Sequence, residues 1–161
     1  MSKTNEQVLR EQLVTFLDCE NAHIKFDDAV KDFPAALRGK RPAGSPHSAW
    51  ELLEHLRITL SDILEFTRDP KHVSPEFPKG YWPSGEAPPD DAAWDDSVAA
   101  YRRDLDALAA IANDESVDLY TPLAHGDGQT PLREVILTID HNAYHLGQLV
   151  MVRRLLGAWG D

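Results

Sequence analysis

Apolar residues recur at helical spacing along four long stretches of this 161-residue chain, and nowhere do they alternate over a useful strand length. The first stretch runs from about residue 5 to 21. Thr4 and Gln7 form a Thr-x-x-Gln capping box ahead of Val8, Leu9, Leu13, Phe16 and Leu17. A short appendage, "FDDAVKDFP", adds a turn or two before Pro34 interrupts it. The second helix starts after Ser48, with Glu51 as its capping partner. It continues through Leu52, Leu53, Leu56, Leu60, Ile63 and Leu64 to Asp69-Pro70. The third occupies about 91–113, with Trp94, Val98, Tyr101, Leu105, Leu108 and Ala112 on one stripe. The fourth opens with Thr130 as cap and Pro131 in the first helical position, and ends at Gly157. Four long amphipathic helices in a chain of this size predict a single all-α domain over 1–161, a four-helix bundle.

The connection after the second helix shapes that bundle. "KHVSPEFPKGYWPSGEAPPD" holds five prolines and two glycines, which exclude a helix and a central strand. Its length suits a crossover along the bundle between the second and third helices. Tyr81 and Trp82 within it either cover a pocket or pack the loop onto the bundle. The earlier loop "RGKRPAGSP" reads as a solvated linker rather than an anion site.

Charge narrows the partners. The formal net charge is −11, which disfavours phosphate backbones and anionic lipid surfaces, so neither nucleic acid nor membrane is expected. Nine Asp/Glu lie in 90–118 against Arg102 and Arg103, and read as a solvated helix flank ahead of a docking face. A single cysteine, Cys19, excludes an internal disulfide, and no signal peptide or membrane-length apolar run is apparent. A cytoplasmic protein is expected. Nothing supports Cys19 as a nucleophile.

The fourth helix carries "DHNAYHLGQ" at 140–148. Residues four apart project from one side of a helix, so His141 and His145 can hold one ion together. Leu137, Val152 and Leu155 extend their stripe, and Gln148 follows on the same side. His55 falls on the inward stripe Leu52–His55–Thr59–Ile63 of the second helix. Unpartnered buried imidazoles are costly, and three neutral ones make a nitrogen site for a divalent ion such as Zn²⁺ or Ni²⁺. The alternative is a metal-free bundle whose histidines hydrogen-bond each other. The zinc-protease motif H-E-x-x-H is absent, because Asn142 stands where its glutamate would.

Gln148 is the auxiliary candidate: it either hydrogen-bonds a group at the site or satisfies a neighbouring helix. Glu51 either steadies His55 or caps its helix, and the cap has the stronger claim. Tyr144 reads as structural, His23 as an exposed loop residue, and "AHGDGQT" with His125 as a tight turn, since it lacks the phosphate-loop lysine.

"SAWELLEHL" followed by "DHNAYHLGQLVMVRRLLG" resembles the DinB-like, YfiT-related superfamily of four-helix metalloproteins, over nearly the whole chain. The resemblance implies that His55, His141 and His145 bind a divalent metal, commonly zinc or nickel, and that the protein forms homodimers. It implies a small-molecule substrate, with a low-molecular-weight thiol such as bacillithiol or mycothiol in relatives that are S-transferases or isomerases. A related transferase or hydrolase-like activity, or a non-catalytic, stress-associated metal-binding role, stands beside that reading.

Overall fold

The structure, a computed structural model, describes residues 2–18 and 22–159. Cys19 lies outside them. Among the described residues there are five α-helices and no strand: α1 (Asn5–Leu17), α2 (Phe26–Val30), α3 (Ala49–Arg68), α4 (Ala93–Asn113) and α5 (Pro131–Leu155). With α2 only five residues long, the architecture is the expected four-helix bundle plus an appended turn.

Local chemistry sets the helix starts. Thr4–Gln7 and Ser48–Glu51 each form the reciprocal capping box, and the Thr130 hydroxyl accepts the Arg133 amide. α4 begins two residues later than the periodicity suggests. Its N-cap, Ala92, makes no side-chain capping bond, but Asp90 just before it accepts the amides of Ala92 and Ala93 through Oδ1 at 3.0 and 2.9 Å. α5 stops where Gly157 takes a positive φ of 64°, which only glycine adopts freely.

α3 packs against both α4 and α5, and α1 packs against the same two from the other side. All six expected core residues of α3 are buried, as are Trp94, Val98, Tyr101, Leu108 and Ala112 of α4. α1 departs from expectation. It ends at Leu17, with Asp18 as its C-cap, and it exposes Val8 and Phe16. Its buried side runs through Leu13, Leu17 and Arg10. The guanidinium of Arg10 donates to the carbonyls of Ala112, Asp114 and Val117 at 2.7–2.9 Å, closing the end of α4. The acids of 90–118 are partly committed to the fold: Asp104 is buried, and Asp114 and Asp118 accept backbone amides in the turns after α4.

The crossover returns the chain to the level where α3 began. There the buried Ser48 hydroxyl donates to Glu86 O at 2.6 Å, so α4 starts beside the start of α3. The basic loop is largely exposed, as expected, but it is also tethered. Arg41 grips Glu51 through two nitrogens, at 2.9 and 2.5 Å, and reaches Glu86 at 3.1 Å, while Arg38 lies over the Trp94 ring. Gly39 meets Ala87 so closely that a side chain at 39 would collide with it. The loop before α3 and the end of the crossover are thus tied to each other.

Candidate metal centre

α3 and α5 bring three imidazoles to one point. His55 Nε2 lies 3.1 Å from His145 Nε2 and 3.1 Å from His141 Nε2. One ligand atom from each residue falls within 4.8 Å of the others. His55 is buried and the two α5 histidines are half-buried. The expected convergence of all three on one side of the α3–α5 seam is therefore present.

The outer nitrogens decide what the inner ones can do. His55 Nδ1 is 2.7 Å from the carbonyl oxygen of Tyr81, and His145 Nδ1 is 2.8 Å from Gln148 Oε1. Both partners only accept, so both Nδ1 atoms carry the proton. In a neutral ring the other nitrogen is then a bare lone pair. His55 and His145 thus aim two lone pairs at each other across 3.1 Å. An N–H···N hydrogen bond cannot form there without an extra proton. His141 can donate to His55, but that satisfies only one of the two contacts.

An extra proton is disfavoured. Burial, then the neighbouring His145 and His55, pushes His141 down to about 4, and burial followed by His55 does the same to His145. Burial also lowers His55, against the opposing pull of the Tyr81 carbonyl. The set therefore presents neutral nitrogen donors and excludes the protons that would make it self-sufficient. Two nitrogens bound at ~2.05 Å around a tetrahedral ion sit about 3.3 Å apart, close to the spacing here. Among the described residues, the buried side-chain polar atoms without a hydrogen-bond partner are Arg10 Nε, Thr59 Oγ1, His141 Nδ1 and Asn142 Nδ2. None of these is a nitrogen at the shared point, where the case for a cation rests on the three facing Nε2 atoms. The residues present fit a divalent cation, and hydrogen bonding alone leaves them unsatisfied.

The crossover covers one side of the cluster. Trp82 stacks on His55 with ring centroids 4.0 Å apart and planes 1° from parallel. His47 stacks on Trp82, also at 4.0 Å. His47 was not among the expected site residues. It precedes the α3 cap in a loop without periodicity, and only its stacking reveals its position. Tyr81 enters through its backbone, a contribution no side-chain pattern announces. The Glu51 carboxylate serves its cap and Arg41, while the His55 ring nitrogens have other partners, consistent with the stronger claim of the cap.

A hollow of about 260 Å³ adjoins the cluster. Its walls include Ala43, His47, Leu52, Gln148, Met151 and Val152. Leu52 is three residues before His55, and Gln148 three after His145, so it opens about 4.5 Å along the helices from the histidines. Gln148 belongs to both places. Leu155, expected inside, is exposed at the rim of this hollow.

The other candidates lie elsewhere in the fold. His23 is exposed, with Nδ1 3.0 Å from Ile24 O, and His125 is exposed, donating Nε2–H to Phe66 O at 2.7 Å. The 124–130 segment is the expected tight turn, with Gly128 at a φ of 104°. Tyr144 is exposed at 65% and meets His145 only edge-on. Among the described residues, no helix is long and apolar enough to cross a membrane.

A family model described as the DinB superfamily matches residues 20–149, which span α2 to most of α5 and include all three histidines. Comparisons with curated proteins and with solved structures gave no match.

Proposed function

Because the chain belongs to the DinB superfamily, we propose that it is a divalent-metal-dependent enzyme acting on a small molecule, with a low-molecular-weight thiol as co-substrate. The observation that carries this reading is the pair of lone pairs on His55 and His145, facing each other at 3.1 Å with His141 beside them. Zn²⁺ or Ni²⁺ suits three imidazole donors. A bound divalent ion supplies Lewis acidity, which makes a thiol or water a better nucleophile at neutral pH.

The chain's own residues supply the rest. His55, His141 and His145 hold the ion, and Gln148 and the Tyr81 carbonyl fix which nitrogen of two of them faces it. Trp82 shields the flat face of His55 from water. The apolar hollow receives the body of the substrate, with Gln148 as the wall it shares with the cluster. His47 stands at that wall, and burial pushes it below the usual histidine range, so it faces the hollow as a neutral ring.

The experiment is a screen of small thiols against electrophiles with metal-loaded, untagged protein. Conjugation that needs both thiol and metal, and disappears in His141→Ala, supports the reading. Thiol-independent turnover by metal-free protein contradicts it. A large fall in melting temperature on chelation, with no transfer to any electrophile, would instead favour a metal that only stabilises the bundle.

A further inference from the structure

We propose that the crossover is a positioning strap for the histidine site, and that Asp62 on α3 is its latch. The proposal rests on the metal-site reading above and assigns a role to residues that touch neither ion nor substrate.

Asp62 lies seven residues beyond His55 on the same side of α3, about 10.5 Å along it. Its two carboxylate oxygens both serve the crossover. Oδ1 accepts from His72 Nε2 at 2.7 Å, and Oδ2 accepts from the Tyr81 hydroxyl at 2.6 Å. The carboxylate is largely enclosed, with its side chain 12% exposed. Burial and then Asp62 itself push the Tyr81 hydroxyl up to about 12, so it remains a donor at any physiological pH.

Tyr81 therefore meets α3 twice. Its side chain is fastened to Asp62, and its backbone carbonyl receives the Nδ1–H of His55 at 2.7 Å. The next residue, Trp82, lays its ring on the same imidazole. Just before Tyr81 the strap is folded back on itself: a Cβ on Gly80 would sit 2.6 Å from Pro75 Cβ. The backbone has little room to shift while the latch holds. Asp62, Tyr81 and His55 thus form a closed loop through one helix, in which a remote carboxylate sets the orientation and tautomer of a ligand imidazole. Direct outer partners of metal-binding histidines typically contribute 10–100-fold to affinity. A latch one step further out should fall near the bottom of that range.

The test is a Co²⁺ titration of the metal-free full chain, followed by visible absorption, for wild type, Tyr81→Phe, Asp62→Asn, Asp62→Ala and the Tyr81→Phe/Asp62→Ala double variant. Melting of each metal-free protein is recorded alongside. Tyr81→Phe keeps the ring and the carbonyl and removes the hydroxyl, and with it the latch bond and a weaker interaction with Ser74 inside the strap. Tyr81→Phe and Asp62→Ala are expected to weaken Co²⁺ binding about tenfold each, with an altered absorption band. The double variant is expected to be no worse than Asp62→Ala, because the two act through one bond. Asp62→Asn keeps an acceptor for the hydroxyl and should lose less. Leu108→Ala, a core truncation that removes none of the latch bonds, is the control. Co²⁺ affinities equal to wild type in the latch variants, or an equal loss in Leu108→Ala, would overturn the proposal alone. A wild-type chain that takes up no Co²⁺ overturns the metal reading and this one with it.

Discussion

His55 and His145 face each other through Nε2 atoms 3.1 Å apart, while each commits its Nδ1 proton to a carbonyl-type oxygen. The consequence is a pair of neutral lone pairs with no proton between them. A cation placed between them would satisfy both rings, so the orientation of each ring bears on whether the group can hold one.

Gln148 should behave as the keeper of the His145 tautomer. Gln148→Leu removes the acceptor at 2.8 Å and leaves a ring nitrogen free to carry either tautomer. Metal affinity should fall about 10–100-fold while the helix stays formed. Competition against a calibrated chelator reads this directly, with circular dichroism as the check on folding. Unchanged affinity would remove Gln148 from the site.

Acid should destabilise the metal-free protein in a defined window. His141 and His145 are pushed down to about 4 in the folded chain, against about 6.5 for an unfolded histidine. Between those values the unfolded chain binds protons that the folded chain refuses, so stability is full above about 6.5, falls as pH drops towards about 4, and levels off below. Metal should be lost over the same descent, with its midpoint moved lower by its affinity. Urea midpoints measured from pH 7.5 to 4.5 should decline for wild type and flatten in His141→Asn. A flat wild-type profile would mean that the imidazoles are not buried as neutral bases.

Ser48 joins three parts of the fold, accepting the Glu51 amide at 3.2 Å and donating to Glu86 O at 2.6 Å. Ser48→Ala deletes the cap and removes the hydroxyl that the Glu86 carbonyl accepts from. Loss of about 1–3 kcal/mol is expected in equilibrium denaturation. A loss under 0.5 kcal/mol, the ordinary scatter of roughly neutral changes, would show that the crossover is not fastened there.

Dimerisation is expected through α5. Ile136, Tyr144, Met151 and Leu155 are each more than half exposed and share one side of that helix with Gly147, where a Cβ would meet open space. A second copy covering this stripe would also narrow the mouth of the hollow, because Met151 and Leu155 wall it. Sedimentation should show a dimer for wild type and a monomer for Met151→Lys. A monomeric wild type at tens of micromolar would contradict the expectation.

Much of this architecture is legible in the chain itself, because its signals are local. The caps at Thr4 and Ser48 are read from residues three apart, that at Thr130 from the proline beside it, and the apolar stripes of α3 and α4 from helical spacing. His141 and His145 are legible as a pair because one helix carries both. Their junction with His55 is suggested by the inward stripe of α3, but which helices adjoin is a tertiary fact. The parts that escape are those made by irregular backbone. The Tyr81 carbonyl has no sequence signature, and His47 reaches Trp82 only because two loops meet. Asp62 on a helix flank looks like any solvated acid until the crossover folds onto it. Likewise Phe16 and Val8 follow an apolar spacing yet lie exposed, because the buried side of α1 is turned towards Arg10 and the carbonyls it closes.

The most direct measurement is metal content by elemental analysis of protein purified without a histidine tag, together with His55→Ala, His141→Ala and His145→Ala. Near one divalent ion per wild-type chain is predicted, with stoichiometric metal lost in each variant. A wild-type chain that is free of metal, binds none on addition and melts identically with and without chelator would contradict the account.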